Sequence, residues 1–197
     1  MTTPSRSQVG WRFLISWMLA YILAVMVGGF TLWSTFFITG ILAAFAFGDL
    51  AAGYIGMFVA GSFGGAAFGL MNWFLLRGRA SGARQWVLVN ASGWALGMLT
   101  LAIVWNSFHD FPKGLAFGLS VGSLQWLVLR RQFQQAMLWI VANTVVWAIG
   151  TGMTFAIPYG LFLAGSMASL ILGLIMLWFV RHPVEHSDQS TSSVLSA

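Results

Sequence analysis

Three arginines, Arg77, Arg130 and Arg181, each close a long apolar run, and an amide stands five residues before two of them, at Asn72 and Gln125. On a helix that spacing puts the amide a little more than one turn deeper than the guanidinium. A guanidinium is a planar fork of N–H donors that fits phosphate or carboxylate. Three such ends meeting at one rim would make a lipid head-group or anion site. The plainer reading is anchoring. Arginine snorkels to a membrane surface, and Trp73, Trp86, Trp126 and Trp139 would form the interfacial aromatic belt beside it. Anchoring is favoured, because any membrane protein puts these residue types at helix ends.

A second polar set lies inside the apolar runs. Asn90 and Asn143 are each followed four residues later by a tryptophan, Trp94 and Trp147, and Tyr21 holds the corresponding place in the first run. A side-chain amide in hydrocarbon must find a partner. Bonding between helices is the favoured role and contributes about 0.6–2 kcal/mol for each amide. A polar ligand pocket, or an amide ligand to a pigment metal, is the sharper alternative.

His182, Glu185 and His186 spell H-x-x-E-H, a zinc-protease pattern. That chemistry needs both histidines on one helical face. Pro183 interrupts, and the segment opens a polar tail, so no catalysis and no metal are expected there. His109 and Asp110 lie beside Phe111-Pro112 and read as a solvated loop pair. No Asp, Glu, Lys or His falls within the core of an apolar run. Ion-coupled transporters and proton relays usually place ionisable groups there. No phosphate loop and no nucleophile with a base is visible, and no histidine is placed to hold haem in the usual way.

The elements that must carry these residues are membrane helices. Of the 197 residues 59% are hydrophobic and 7% charged, against about 25% charged in a soluble domain. Apolar runs cover Phe13–Trp33, Tyr54–Leu76, Trp86–Trp105, Gly114–Leu129 (extendable to Phe111), Met137–Ile157 and Gly160–Val180. A crossing of the ~30 Å hydrocarbon layer takes about 20 residues. With six helices in order, all eight arginines fall on one side, and Asp49, His109, Asp110 and Lys113 on the other. Lys/Arg bias marks the cytoplasmic face, so both termini are predicted to be cytoplasmic. The net charge of +5 is read as topology and attraction to anionic lipid rather than as nucleic-acid binding. The chain has no cysteine, hence no disulfide and no thiolate chemistry.

The expected class is therefore all-α, a polytopic membrane helical bundle. Residues 1–12 form a cytoplasmic N-terminal segment, 13–181 the six-helix domain and 182–197 a disordered cytoplasmic tail. Residues 34–53 are apolar, but a seventh crossing there would scatter the arginines. An external interfacial or re-entrant insertion is expected instead.

The sequence also repeats. Residues 65–97 align without gaps on 118–150, matching Gly65, Gly69, Trp73, Leu76, Arg77, Trp86, Asn90, Trp94 and Gly97 to Gly118, Gly122, Trp126, Leu129, Arg130, Trp139, Asn143, Trp147 and Gly150. Gly165, Ser169, Gly173 and Arg181 repeat the spacing of Gly114, Gly118, Gly122 and Arg130. Trp17 and Gly28 stand as far apart as Trp86 and Gly97. The chain thus reads as three tandem helical hairpins, about 13–77, 84–131 and 136–181, related by a pseudo-threefold repeat. Glycines four apart form ridges that let helices approach closely, and these ridges are expected to pack on the Trp/Asn faces.

With QWLVLRR at 125–131 and W-x-x-A-N-x-x-x-W-A-x-G at 139–150, the chain resembles uncharacterised bacterial multi-pass membrane proteins. Those carry tandem G-x-x-x-G-x-x-Q-W-L-V-L-R-R … W-x-x-A-N … G-W-x-x-G repeats. The resemblance spans roughly residues 10–181, and the second hairpin departs from it at Asn72, Gly78 and Val89. It implies a bacterial inner-membrane protein and carries no activity with it.

The expected function is non-enzymatic: a structural, assembly or accessory membrane subunit with lipid contacts at the cytoplasmic rim. Small-solute or anion transport or binding is the alternative, and association with a pigment or quinone a further one. No cofactor is expected. The expected partners are the lipid bilayer and other membrane subunits or a second copy of the chain, and not nucleic acid.

Overall fold

The computed structural model describes residues 10–77, 83–104, 110–156 and 160–182. Among these residues the chain is entirely helical: α1 (Trp11–Phe47), α2 (Asp49–Leu76), α3 (Ala83–Val104), α4 (Asp110–Leu129), α5 (Met137–Ala156) and α6 (Gly160–Arg181). Four of them, α1, α2, α3 from Arg84 and α6 from Leu163, are long and apolar enough to cross a membrane. In α5 the stretch described with its side chains is apolar over Met137–Met153. The first turn of α4 carries Asp110 and Lys113, which pair at 3.2 Å.

The bundle is apolar outside as well as inside. Phe30, Phe45, Leu50, Leu88 and Ile103 are among the many large apolar side chains left exposed. A fold of this kind is built for hydrocarbon rather than water. What marks the inside is its glycines and its buried amides, Asn72, Asn90, Gln125 and Asn143. In α1 the buried stripe Phe13, Trp17, Tyr21, Ala24, Gly28 and Leu32 advances by three or four residues, the period of one helix face.

Residues 34–53 correct the sequence reading. They form no separate interfacial or re-entrant element. Residues 34–47 continue α1, Gly48 turns the chain and Asp49 opens α2. No proline interrupts this stretch, so nothing stops the helix before Gly48. At Gly48 φ is 82° and ψ 166°, a conformation open essentially to glycine alone. The arginine pattern required only that the chain not cross again, and a longer hairpin meets that condition as well as an insertion does. At 1.5 Å per residue, α1 is about 55 Å long and the shortest helices about 30 Å.

The helices pack as a ring in chain order. Each lies against its chain neighbours, and α6 closes back on α1. Neighbours run antiparallel, which brings the described arginines Arg12, Arg77, Arg84, Arg130, Arg131 and Arg181 to one end and Asp49, Asp110 and Lys113 to the other.

Glycine ridges set the closest seams. A Cβ at Gly61 would lie 2.6 Å from the Trp94 carbonyl oxygen, and one at Gly69 2.8 Å from the Val87 Cα. The α4 ridge repeats this against α5: a Cβ at Gly118 would come within 2.6 Å of the Asn143 carbonyl oxygen. Only hydrogen fits at these positions, and backbone meets backbone with the dispersion gain that joins helices in lipid. A second row on α2, Ala52, Gly56, Ala60, Gly64 and Phe68, faces the other way; Gly56 meets Phe36 and Gly64 meets Leu32, both on α1. The α6–α1 seam is shorter than the others. Its ridge is represented by Gly173 against Leu14 and Trp17, while among the described residues nothing lies within 4 Å of a Cβ at Gly165.

Candidate functional site

The inward faces bring together residues that sequence reasoning had placed in two separate groups. Gln125 on α4 donates from Nε2 to the Oδ1 of Asn90 on α3, at 2.8 Å. Its Oε1 accepts from the indole Nε1 of Trp139 on α5, at 2.7 Å. Asn90 in turn donates to the Trp86 carbonyl at 2.7 Å, and Asn143 to the Trp139 carbonyl at 3.0 Å. One amide therefore ties three helices, and all its protein partners are buried. Asn90 and Gln125 meet across the α3–α4 seam, where a Cβ at Gly93 would lie 3.1 Å from the Val121 Cα.

Tryptophans fill the middle of the ring. Trp17, Trp86 and Trp139 are each 2% exposed or less. The Trp139 ring lies 6.5 Å from that of Trp17 and 6.1 Å from that of Trp86, so α1, α3 and α5 meet through their rings. Above this layer Trp94 and Trp147 meet edge to face at 5.7 Å, with Phe68 and Phe117 against them. Edge-to-face pairs of this kind add about 0.5–1.5 kcal/mol beyond their buried area. Trp86 and Trp139 are thus core residues and not part of an interfacial belt. Trp73 and Trp126 keep partial exposure at the arginine end.

Between these layers lies a cavity of about 10 Å³. Every helix contributes to it: Trp17 and Tyr21 from α1, Phe68 and Asn72 from α2, Trp86 and Trp94 from α3, Val121 and Gln125 from α4, Trp139, Asn143 and Trp147 from α5 and Leu172 from α6. That volume admits about one water. Four of its lining residues carry a buried atom with no hydrogen-bond partner among the described residues: the indole nitrogens of Trp17, Trp86 and Trp94, and Asn72 Oδ1.

The arginines stand apart from this centre. Arg77 lies exposed at the end of α2, its guanidinium 5.1 Å from the Phe74 ring and 5.9 Å from Trp73. Arg130 covers Trp126 of its own helix at 4.9 Å. Arg181 is exposed at the end of α6. Asn72 and Gln125 therefore belong with Tyr21, Asn90, Asn143, Trp94 and Trp147, not with the arginines five residues on.

Among the described residues no group of His, Asp and Glu could hold a metal ion. His182 caps α6, its Nδ1 2.9 Å from the Trp178 carbonyl oxygen; the rest of H-x-x-E-H, like His109 and the tail from 183 on, lies outside the described residues. Sequence reasoning missed Phe68, Val121 and Leu172 as cavity residues. Their signal was present, since they hold corresponding places in the returning helices, one turn before Asn72, Gln125 and Met176. It also missed Phe133, which the α4–α5 turn tucks in flat on Phe179 at 5.1 Å.

Comparison with protein-family models, with curated proteins and with solved structures finds no match for this chain.

Proposed function

We propose that this chain is a non-enzymatic integral membrane protein, a structural, assembly or accessory subunit of a bacterial plasma (inner) membrane. In this reading all six helices cross the bilayer as three hairpins of one internal repeat, and both termini are cytoplasmic. The observation that carries it is the use made of the polar core. Gln125 bonds Asn90 and Trp139 across helices, and the cavity that Gln125 and Trp139 border, about 10 Å³, is too small for a solute larger than water. Corresponding residues of the hairpins line that one cavity, which supports the repeat.

The exposed ends of Arg77, Arg130 and Arg181 suit contacts to anionic lipid head groups at the cytoplasmic rim. Exposed apolar side chains cover the outside of α1 from Trp11 to Phe47 and offer the surface for partner helices or a second copy. Crosslinking in native membranes, followed by purification in mild detergent and mass spectrometry, tests the subunit reading. A stoichiometric membrane partner or homo-oligomer is expected. A monomer that crosslinks to nothing counts heavily against it. The transport alternative draws on the unpartnered indole donors, and requires that Arg130→Ala or Arg77→Ala abolish uptake into proteoliposomes. The pigment or quinone alternative ends if the purified protein absorbs as tryptophan and tyrosine alone.

A further inference from the structure

We propose that the central cavity is a binding site for water, an internal hydration site in the middle of the membrane bundle. The geometry supplies both halves of the chemistry. Trp17, Trp86 and Trp94 bring indole N–H groups, which can only donate. Asn72 brings an amide oxygen, which can only accept. All four residues line the same cavity, and Asn72, Trp17 and Trp86 are at most 2% exposed and Trp94 6%. A buried donor without a partner is costly in hydrocarbon, where bulk water cannot reach it.

The occupant must therefore accept from indole N–H, donate to an amide oxygen and fit about 10 Å³. Water does all three. A halide accepts but cannot donate, and the lining holds no cation to offset its charge; burying an unpaired anion there costs more than neutral donors return. A quaternary ammonium would suit the aromatic faces but exceeds the volume and leaves the N–H groups unserved. The neighbouring network sharpens the contrast. Trp139 has its indole N–H satisfied by Gln125, so of the buried tryptophans of the inner layer it alone needs no water.

The test uses full-length protein in lipid nanodiscs with ¹⁵N-labelled tryptophan. Indole protons are assigned by single Trp→Phe variants, and their cross-relaxation with water is read directly. Contacts with water at the indole protons of Trp17 and Trp86, and none at Trp139, are expected. Absence of a water contact at Trp17, Trp86 and Trp94 alike overturns the proposal. Asn72→Leu gives an independent arm in a variant that keeps the volume filled. Its thermal midpoint is expected to fall, with the Trp86 indole resonance displaced. A rise in midpoint means that the wild-type cavity is dry, and overturns the proposal. In a third arm, sodium bromide replaces sodium gluconate at constant ionic strength. Unchanged indole resonances are expected, and a saturable displacement would reassign the site to an anion.

Discussion

Gln125 bonds a side chain on each of two other helices, Asn90 on α3 and Trp139 on α5. Replacing it with leucine leaves the Trp139 indole N–H and the Asn90 oxygen without partners. An unsatisfied buried group costs about 1–3 kcal/mol, so with two such groups Gln125→Leu is expected to lower the unfolding free energy by about 2–6 kcal/mol, measured by denaturant titration in detergent. Asn90→Leu added to it is expected to cost less than the two changes taken separately, because the second change removes a group the first had already orphaned. Arg130→Ala should behave differently. Its guanidinium covers Trp126 at an exposed end, and such a contact is worth about 0.5–1 kcal/mol. Arg130→Ala is expected to leave the unfolding midpoint nearly unchanged while weakening flotation with anionic vesicles. The polar candidates were legible in the sequence because amides in hydrocarbon stand out. Their grouping was not. Asn72 and Gln125 lie close to arginines along the chain, and although five residues turn them about 140° away around the helix, sequence order does not say which neighbouring helices they then face.

Helix by helix, the seams rest on hydrogen atoms. Gly118→Val would drive a branched side chain onto the Asn143 carbonyl and the Thr144 Cα. Overpacking of this kind costs about 1–3 kcal/mol, and separation of α4 from α5 is expected to show as lost protection of α5 amides in hydrogen exchange. The turn at Gly48 gives a purer case. Nothing lies within 4 Å of a Cβ added there, yet φ is 82°. Gly48→Ala is therefore expected to cost about 1–3 kcal/mol through the backbone alone, read as a lower thermal midpoint with no change in tryptophan fluorescence. Five of the helices could be placed from apolar runs within a few residues, since length and hydropathy decide them. The full extent of α1 could not. A run of apolar residues looks the same whether it lies along an interface or prolongs a helix, and only the neighbouring α2 ridge, Gly56 against Phe36 and Gly40, settles its direction.

For the molecule as a whole, the charge pattern is testable with unusual cleanness because the chain has no cysteine. Single cysteines in place of Arg12 and Arg131 are expected to react with a membrane-impermeant maleimide only in inverted vesicles, and one in place of Asp110 only in right-side-out cells. The same label on both sides for either set would refute the proposed orientation. The arginine segregation was readable from sequence because it depends only on counting crossings. Ring order was not, since glycine ridges say that helices approach and not which helix comes next. That order has a consequence for how the protein is made. Each helix finds its neighbour in the segment synthesised just before it, so most of the bundle can assemble as the chain emerges, with little searching. The seam of α6 on α1 is different. It joins the last helix made to the first, and until it closes, Trp17 and Gly173 stand open to lipid. The nascent protein thus passes through a period as an unclosed arc, and that is the interval in which a chaperone or a neighbouring membrane helix has access to its interior.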